Sequence, residues 1–114
     1  MRVVAPIIFC GGVLLASSGV QALSEMTSER LLGFCQSQNT ADHSLCFGYI
    51  MGVFDSEEMR YRACPPGGTR NDAKVEVTIQ YLMGDRNLEG SWLAPLSISK
   101  AAQLTYPCKA DLKP

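Results

Sequence analysis

Apolar residues recur at helical spacing in four blocks of the chain, and polar or glycine-rich stretches mark where each block stops. The first block predicts a helix from Thr27 to about Ser37. Thr27 is placed to cap it, Met26 to staple onto Leu31, and Glu29 to meet the positive end of the helix dipole. Leu31, Phe34 and Cys35 form its apolar face, and the polar run Gln38-Asn39-Thr40 ends it. The second block has Asp42 as its capping candidate and carries Cys46, Tyr49, Ile50 and Val53 at helical spacing. It runs to Met59 or Arg62. Beyond that, Cys64-Pro65-Pro66-Gly67-Gly68 forbids continuation, because proline lacks an amide hydrogen and clashes with the preceding turn. Gly48 and Gly52 sit one turn apart inside this helix. Each costs about 1 kcal/mol against alanine, a cost that close approach of another helix would offset.

The third block starts after the break, with Thr69 and Asp72 spaced like a capping arrangement. Val75, Ile79 and Leu82 make a core stripe, Tyr81 flanks it and Gly84 closes it. Val75 to Ile79 is the one stretch whose alternation also reads as a strand. A polar loop, Gly84 to Gly90, leads to the fourth block, which starts near Trp92 to Ala94, tolerates Pro95 in its first turn and runs to Tyr106. Its apolar residues are spread around the helix, so no single buried face stands out. The pattern predicts an all-α fold: a small four-helix up-down bundle.

Ahead of the first helix, Met1-Arg2 and the apolar run from Val3 to Ala16 read as the charged and hydrophobic regions of a signal peptide. Val20-Gln21-Ala22 supplies small residues at −3 and −1, which places cleavage after Ala22 and leaves residues 23–114 as the mature domain. The uncharged stretch to Ser24 is long enough to span a bilayer, but Ser17, Ser18, Gly19 and Gln21 weaken it as a membrane span. Cys10 follows Phe9 rather than a small residue, which counts against a lipoprotein.

Cleavage removes Cys10 from the five cysteines and leaves Cys35, Cys46, Cys64 and Cys108, an even set in a short exported chain. Helix geometry ranks their three pairings. In an up-down arrangement the end of the first helix meets the start of the second, which joins Cys35 to Cys46. Cys64 lies at the opposite end, where the fourth helix brings Cys108. The competing link from Cys46 to Cys64 would cross roughly 20 Å of helix, while a disulfide needs Cα atoms within about 7 Å. Only a sharp return of residues 60–64 would rescue it. Cys35–Cys46 and Cys64–Cys108 are therefore the expected staples.

Cleavage also removes Arg2, which takes the formal charge from −1 to −2. A near-neutral chain favours neither nucleic acid nor, after signal cleavage, an anionic membrane as partner. Catalytic chemistry finds little to work with. His43 is the one histidine, so no zinc-type cluster of His and Cys forms, and no metal or other cofactor is implied. Paired cysteines leave no thiolate nucleophile. Gly67-Gly68-Thr69-Arg70 precedes a helix but lacks the Gly-Lys-Ser/Thr pattern and the preceding strand of a phosphate loop, so a turn explains it. Asp55, Glu57 and Glu58 put negative charge near the end of the second helix. They read either as local pairing, with Glu58 reaching Arg62, or as an acidic patch for a partner. Trp92 reads as a binding anchor or as core packing.

The order of these features resembles the Tai-type immunity proteins of type VI secretion. The residues that carry the likeness are Cys35, Cys46-x-x-Tyr49-x-x-Gly52, Cys64-Pro65-Pro66-Gly67, Tyr81-Leu82 and Tyr106-Pro107-Cys108, and they span nearly all of the mature chain. Members often carry a proline after the third helix, where this chain has Gly84-Asp85. The resemblance implies a helical, often dimeric, periplasmic protein that binds and blocks a peptidoglycan amidase effector delivered by sibling cells. If inhibition works by insertion into the enzyme cleft, the polar loop carrying Asp85, Arg86, Asn87 and Glu89 is the expected contact. The alternative is a periplasmic stress chaperone resembling the HdeA type, also small, helical and exported.

Overall fold

The computed structural model describes residues 25–84 and 92–109. The expected cleavage site and the polar loop after Gly84 lie outside them. Four helices account for the described architecture: α1 (Ser28–Gln36), α2 (Thr40–Met59), α3 (Asn71–Gly84) and α4 (Ala94–Thr105). Val75 to Ile79 is helical, and the β pairing among the described residues is one isolated bridge, Thr27 with Leu93.

The starts of the helices show which polar side chains won the capping positions. Thr27 caps α1, its hydroxyl accepting from the Arg30 amide at 3.2 Å. Helix α2 begins earlier than Asp42 suggested. Asn39 is its cap, with Oδ1 accepting from the Ala41 and Asp42 amides at 2.8 and 3.2 Å. Asp42 already lies in the first turn, and its carboxylate accepts from the Ser37 hydroxyl at 2.7 Å. The Thr69–Asp72 arrangement does not form at α3. The Thr69 hydroxyl donates back to the Pro66 carbonyl at 2.6 Å, closing the turn, and Asp72 pairs with Arg70 at 2.9 Å.

Both staples are present as expected, with Cα atoms 5.1 Å apart for Cys35–Cys46 and 5.0 Å for Cys64–Cys108. Side-chain bonds give the directions of the long helices. Lys74, near the start of α3, reaches Glu58, near the end of α2. Gln103, near the end of α4, reaches Glu57 on the same last turns. So α3 returns along α2 and α4 runs back again. Helix α1 begins beside the beginning of α4: Ser28 N–H donates to the Trp92 carbonyl at 2.8 Å, and Ala94 N–H to the Met26 carbonyl at 2.7 Å. The hydroxyls of Ser28 and Ser97 share a buried bond of 2.6 Å at this junction.

Each helix commits a stripe to one core. Leu31, Ile50, Phe54 and Ile98 are completely buried. In α3 the stripe is Val75, Thr78 and Leu82, with Ile79 only half-buried. Thr78 tolerates full burial because its hydroxyl donates to the Lys74 carbonyl at 3.0 Å. In α4 the buried face is made of small residues, Ala94, Ser97, Ala101 and Ala102 around Ile98. Its larger Leu96 and Leu104 point outward, which is why hydrophobicity alone did not reveal the face.

Gly48 and Gly52 do not serve a close helix contact. Both are exposed, and a Cβ added at either would meet nothing within 4 Å. Their propensity cost is therefore uncompensated by packing. Gly48→Ala and Gly52→Ala are each expected to stabilise the protein by about 1 kcal/mol. Urea unfolding should show higher midpoints at unchanged slope, and a fall in midpoint would mean that this face is covered in solution.

Candidate functional site

The four cysteines among the described residues are all bonded, so none of them offers a thiolate. His43 is exposed, and no group of three or more His, Cys, Asp or Glu among the described residues is arranged to hold a metal. Gly67 to Arg70 is a turn between α2 and α3, with Gly68 at φ 87 and the Thr69 amide donating to the Pro66 carbonyl. The Arg70 guanidinium holds the Asp72 carboxyl below the usual aspartate range, and both groups are surface-exposed. Partial burial raises the Tyr49 phenol above its ordinary value.

The acidic residues of α2 do not form a patch. Glu57 is 5% exposed and accepts from Gln103 Nε2 at 3.0 Å. Glu58 pairs with Lys74 at 2.7 Å, not with Arg62. The helix ends at Met59, so Arg62 is no longer one helical turn beyond Glu58, and it turns to Glu57 at 3.9 Å instead. Asp55 alone of the three is exposed. Lys74 is itself buried, with its ammonium 6.0 Å from the Phe54 ring centroid. This paired charge fixes the register of α3 against α2, since shifting either helix by a turn would leave a buried charge without its partner.

Apolar groups reach solvent at several places, Leu45 and Phe47 near the start of α2 and Met83 near the end of α3 among them. Leu93, just before α4, and Leu96 and Leu104 on it are exposed, and Trp92 lies at the surface with the Lys100 ammonium 5.4 Å from its ring. At the end of α2, Met59 and Tyr61 are exposed on either side of Arg60. The loop residues Asp85, Arg86, Asn87 and Glu89 lie outside the described residues. The arrangement is a covalently braced bundle that presents binding-type side chains.

A family model described as Rap1a immunity proteins matches residues 27–108. The chain belongs to the Rap1a immunity protein family. The matched span contains all four helices and all four bonded cysteines. No curated protein matches the chain, and no solved structure does. Membership in a Rap1a immunity family implies that the partner is a toxin effector protein. This agrees with the immunity class implied by the sequence resemblance, while the Tai-type assignment within that class is a finer statement.

Sequence reasoning missed Tyr61. It adopts φ 57, the one positive φ at a non-glycine residue among those described. The available signal was a helix forced to stop before Cys64-Pro65 with no glycine placed to end it.

Proposed function

We propose that this protein protects its own cell by binding and blocking a peptidoglycan amidase delivered through type VI secretion, and that it does so in the periplasm. The Rap1a match across residues 27–108 carries the reading, because it makes toxin binding the task of the whole helical domain. The amidase, the type VI route and the periplasm come from the Tai-type resemblance. The signal-like N-terminus and two disulfides support an oxidising compartment. Rigidity also fits the task. A helical bundle with both staples in place has little conformational entropy left to lose on binding, so more of the contact energy appears as affinity. The exposed leucines of α4 support pairing of two copies through that helix.

The test is co-expression in the periplasm with the cognate amidase effector. Cells making both proteins are expected to survive induction that lyses cells making the amidase alone. Purification should yield a complex whose mass corresponds to two inhibitors and two toxins. Lysis despite abundant folded protein would overturn the immunity reading, and a one-to-one complex would remove the pairing.

A further inference from the structure

The end of α2 holds a surface that no catalytic or core role explains. The Arg62 amide donates to the Glu57 carbonyl at 2.9 Å, and the Tyr61 amide to the Glu58 carbonyl at 3.1 Å. This pair of bonds is the Schellman motif, which puts the intervening residue in the left-handed region. Glycine suits that position because it has no Cβ to clash with the backbone. Here the residue is Tyr61, at φ 57, and its ring is not repaid by the core, since the residue is 45% exposed. Met59, just before it, is 79% exposed. Arg60 has no ion pair among the described residues, and Arg62 approaches only the buried Glu57, at 3.9 Å.

The turn is held firmly from below. Ala63 is buried, Cys64 N–H donates to the Tyr106 carbonyl at 2.7 Å, and Cys64 is bonded to Cys108. Two large apolar side chains and two guanidiniums thus stand on a backbone with little freedom. Tyrosine, arginine and methionine are the residue types that protein interfaces enrich, and tyrosine and arginine carry much of the binding energy where they are pre-placed. Arg60, without an ion pair among the described residues, and the half-exposed Arg62 give this tip guanidinium donors, so its complement carries carboxylates.

We propose that the turn Met59–Arg62 is a toxin-contacting surface. Tyr61 and Met59 fill an apolar depression on the toxin, and Arg60 and Arg62 meet carboxylates at its rim. The proposal rests on the immunity reading above and names the surface that performs it. It also gives the strained tyrosine a reason: the position trades folding stability for contact.

That trade supplies the test. The probe is the purified cognate amidase effector, titrated against the mature protein, Tyr61→Gly and Arg60→Glu/Arg62→Glu. Tyr61→Gly should melt higher, by about 4–8 °C, yet bind at least tenfold more weakly, an opposition that a structural role for the tyrosine would not produce. The charge-reversed variant should associate at least tenfold more slowly at low salt and lose most of its salt dependence. Wild-type binding with unchanged affinity in both variants would overturn the tip as a contact surface while leaving immunity standing. Failure of the wild-type protein to bind would overturn the immunity reading, and the tip assignment with it.

Discussion

Phe54→Ala is expected to remove about 3–5 kcal/mol of stability, the range for deleting a fully buried aromatic ring. The ring is completely buried in α2. Its edge meets the Tyr106 ring, with centroids 6.1 Å apart and planes at 72°, and the Lys74 ammonium stands 6.0 Å from its face. Truncation therefore opens a cavity against α4, removes an aromatic pair and leaves a buried ammonium with one fewer favourable neighbour. The walls have little capacity to close the gap, because they belong to helices joined by two disulfides. Since a domain of this size has a total stability of about 5–15 kcal/mol, the loss is a large fraction of the whole. Urea unfolding with both disulfides intact measures it. A loss below about 1 kcal/mol would mean that the site collapses freely and that Phe54 is not the centre of the core.

The second large effect is the Cys64–Cys108 staple. The two disulfides span sequence separations of 44 and 11 residues. Restricting the unfolded chain over those loops is worth about 4 kcal/mol for the longer and about 3 for the shorter in the chain-entropy description. Cys64→Ser/Cys108→Ser is thus expected to cost more than Cys35→Ser/Cys46→Ser. The longer staple also holds the end of α4 to the turn that follows α2, next to the Cys64 N–H bond to the Tyr106 carbonyl. Its removal frees the base on which Tyr61 stands, so toxin affinity should fall along with stability. Guanidinium unfolding of the two double variants decides the order. A larger loss from the Cys35–Cys46 pair would show that native-state strain or packing, not loop length, sets what each staple contributes.

Much of the fold was legible because its signals are local. Thr27 caps the helix it was placed to cap, and α3 covers the stripe from Val75 to Leu82. The disulfide pairing followed from the antiparallel order of the helix ends, together with a helix too stiff to bring Cys46 to Cys64. Readings failed where two nearby polar groups competed for one role. Asn39 displaced Asp42 as cap of α2, because a side chain immediately before the first turn reaches the free amides while one inside the turn does not. Thr69 turned back to Pro66, and Glu58 chose Lys74, sixteen residues away, over Arg62. The buried face of α4 was hidden for a related reason. It is made of alanine and serine, whose low hydrophobicity leaves no stripe in the pattern.

The amino-acid sequence by itself determined four helices, their order and the two staples. These follow from periodicity, breakers and residue type, which act over a few residues at a time. Only the tertiary structure decided three further matters. It placed the start of α1 against the start of α4 through the Thr27–Leu93 bridge. It buried Glu57 and paired Glu58 with Lys74, which dissolved an apparent acidic patch. It also stopped α2 in a left-handed turn at Tyr61 and left that ring in solvent. Each depends on which distant groups arrive at a given place, and that arrival is set by packing four helices onto one core.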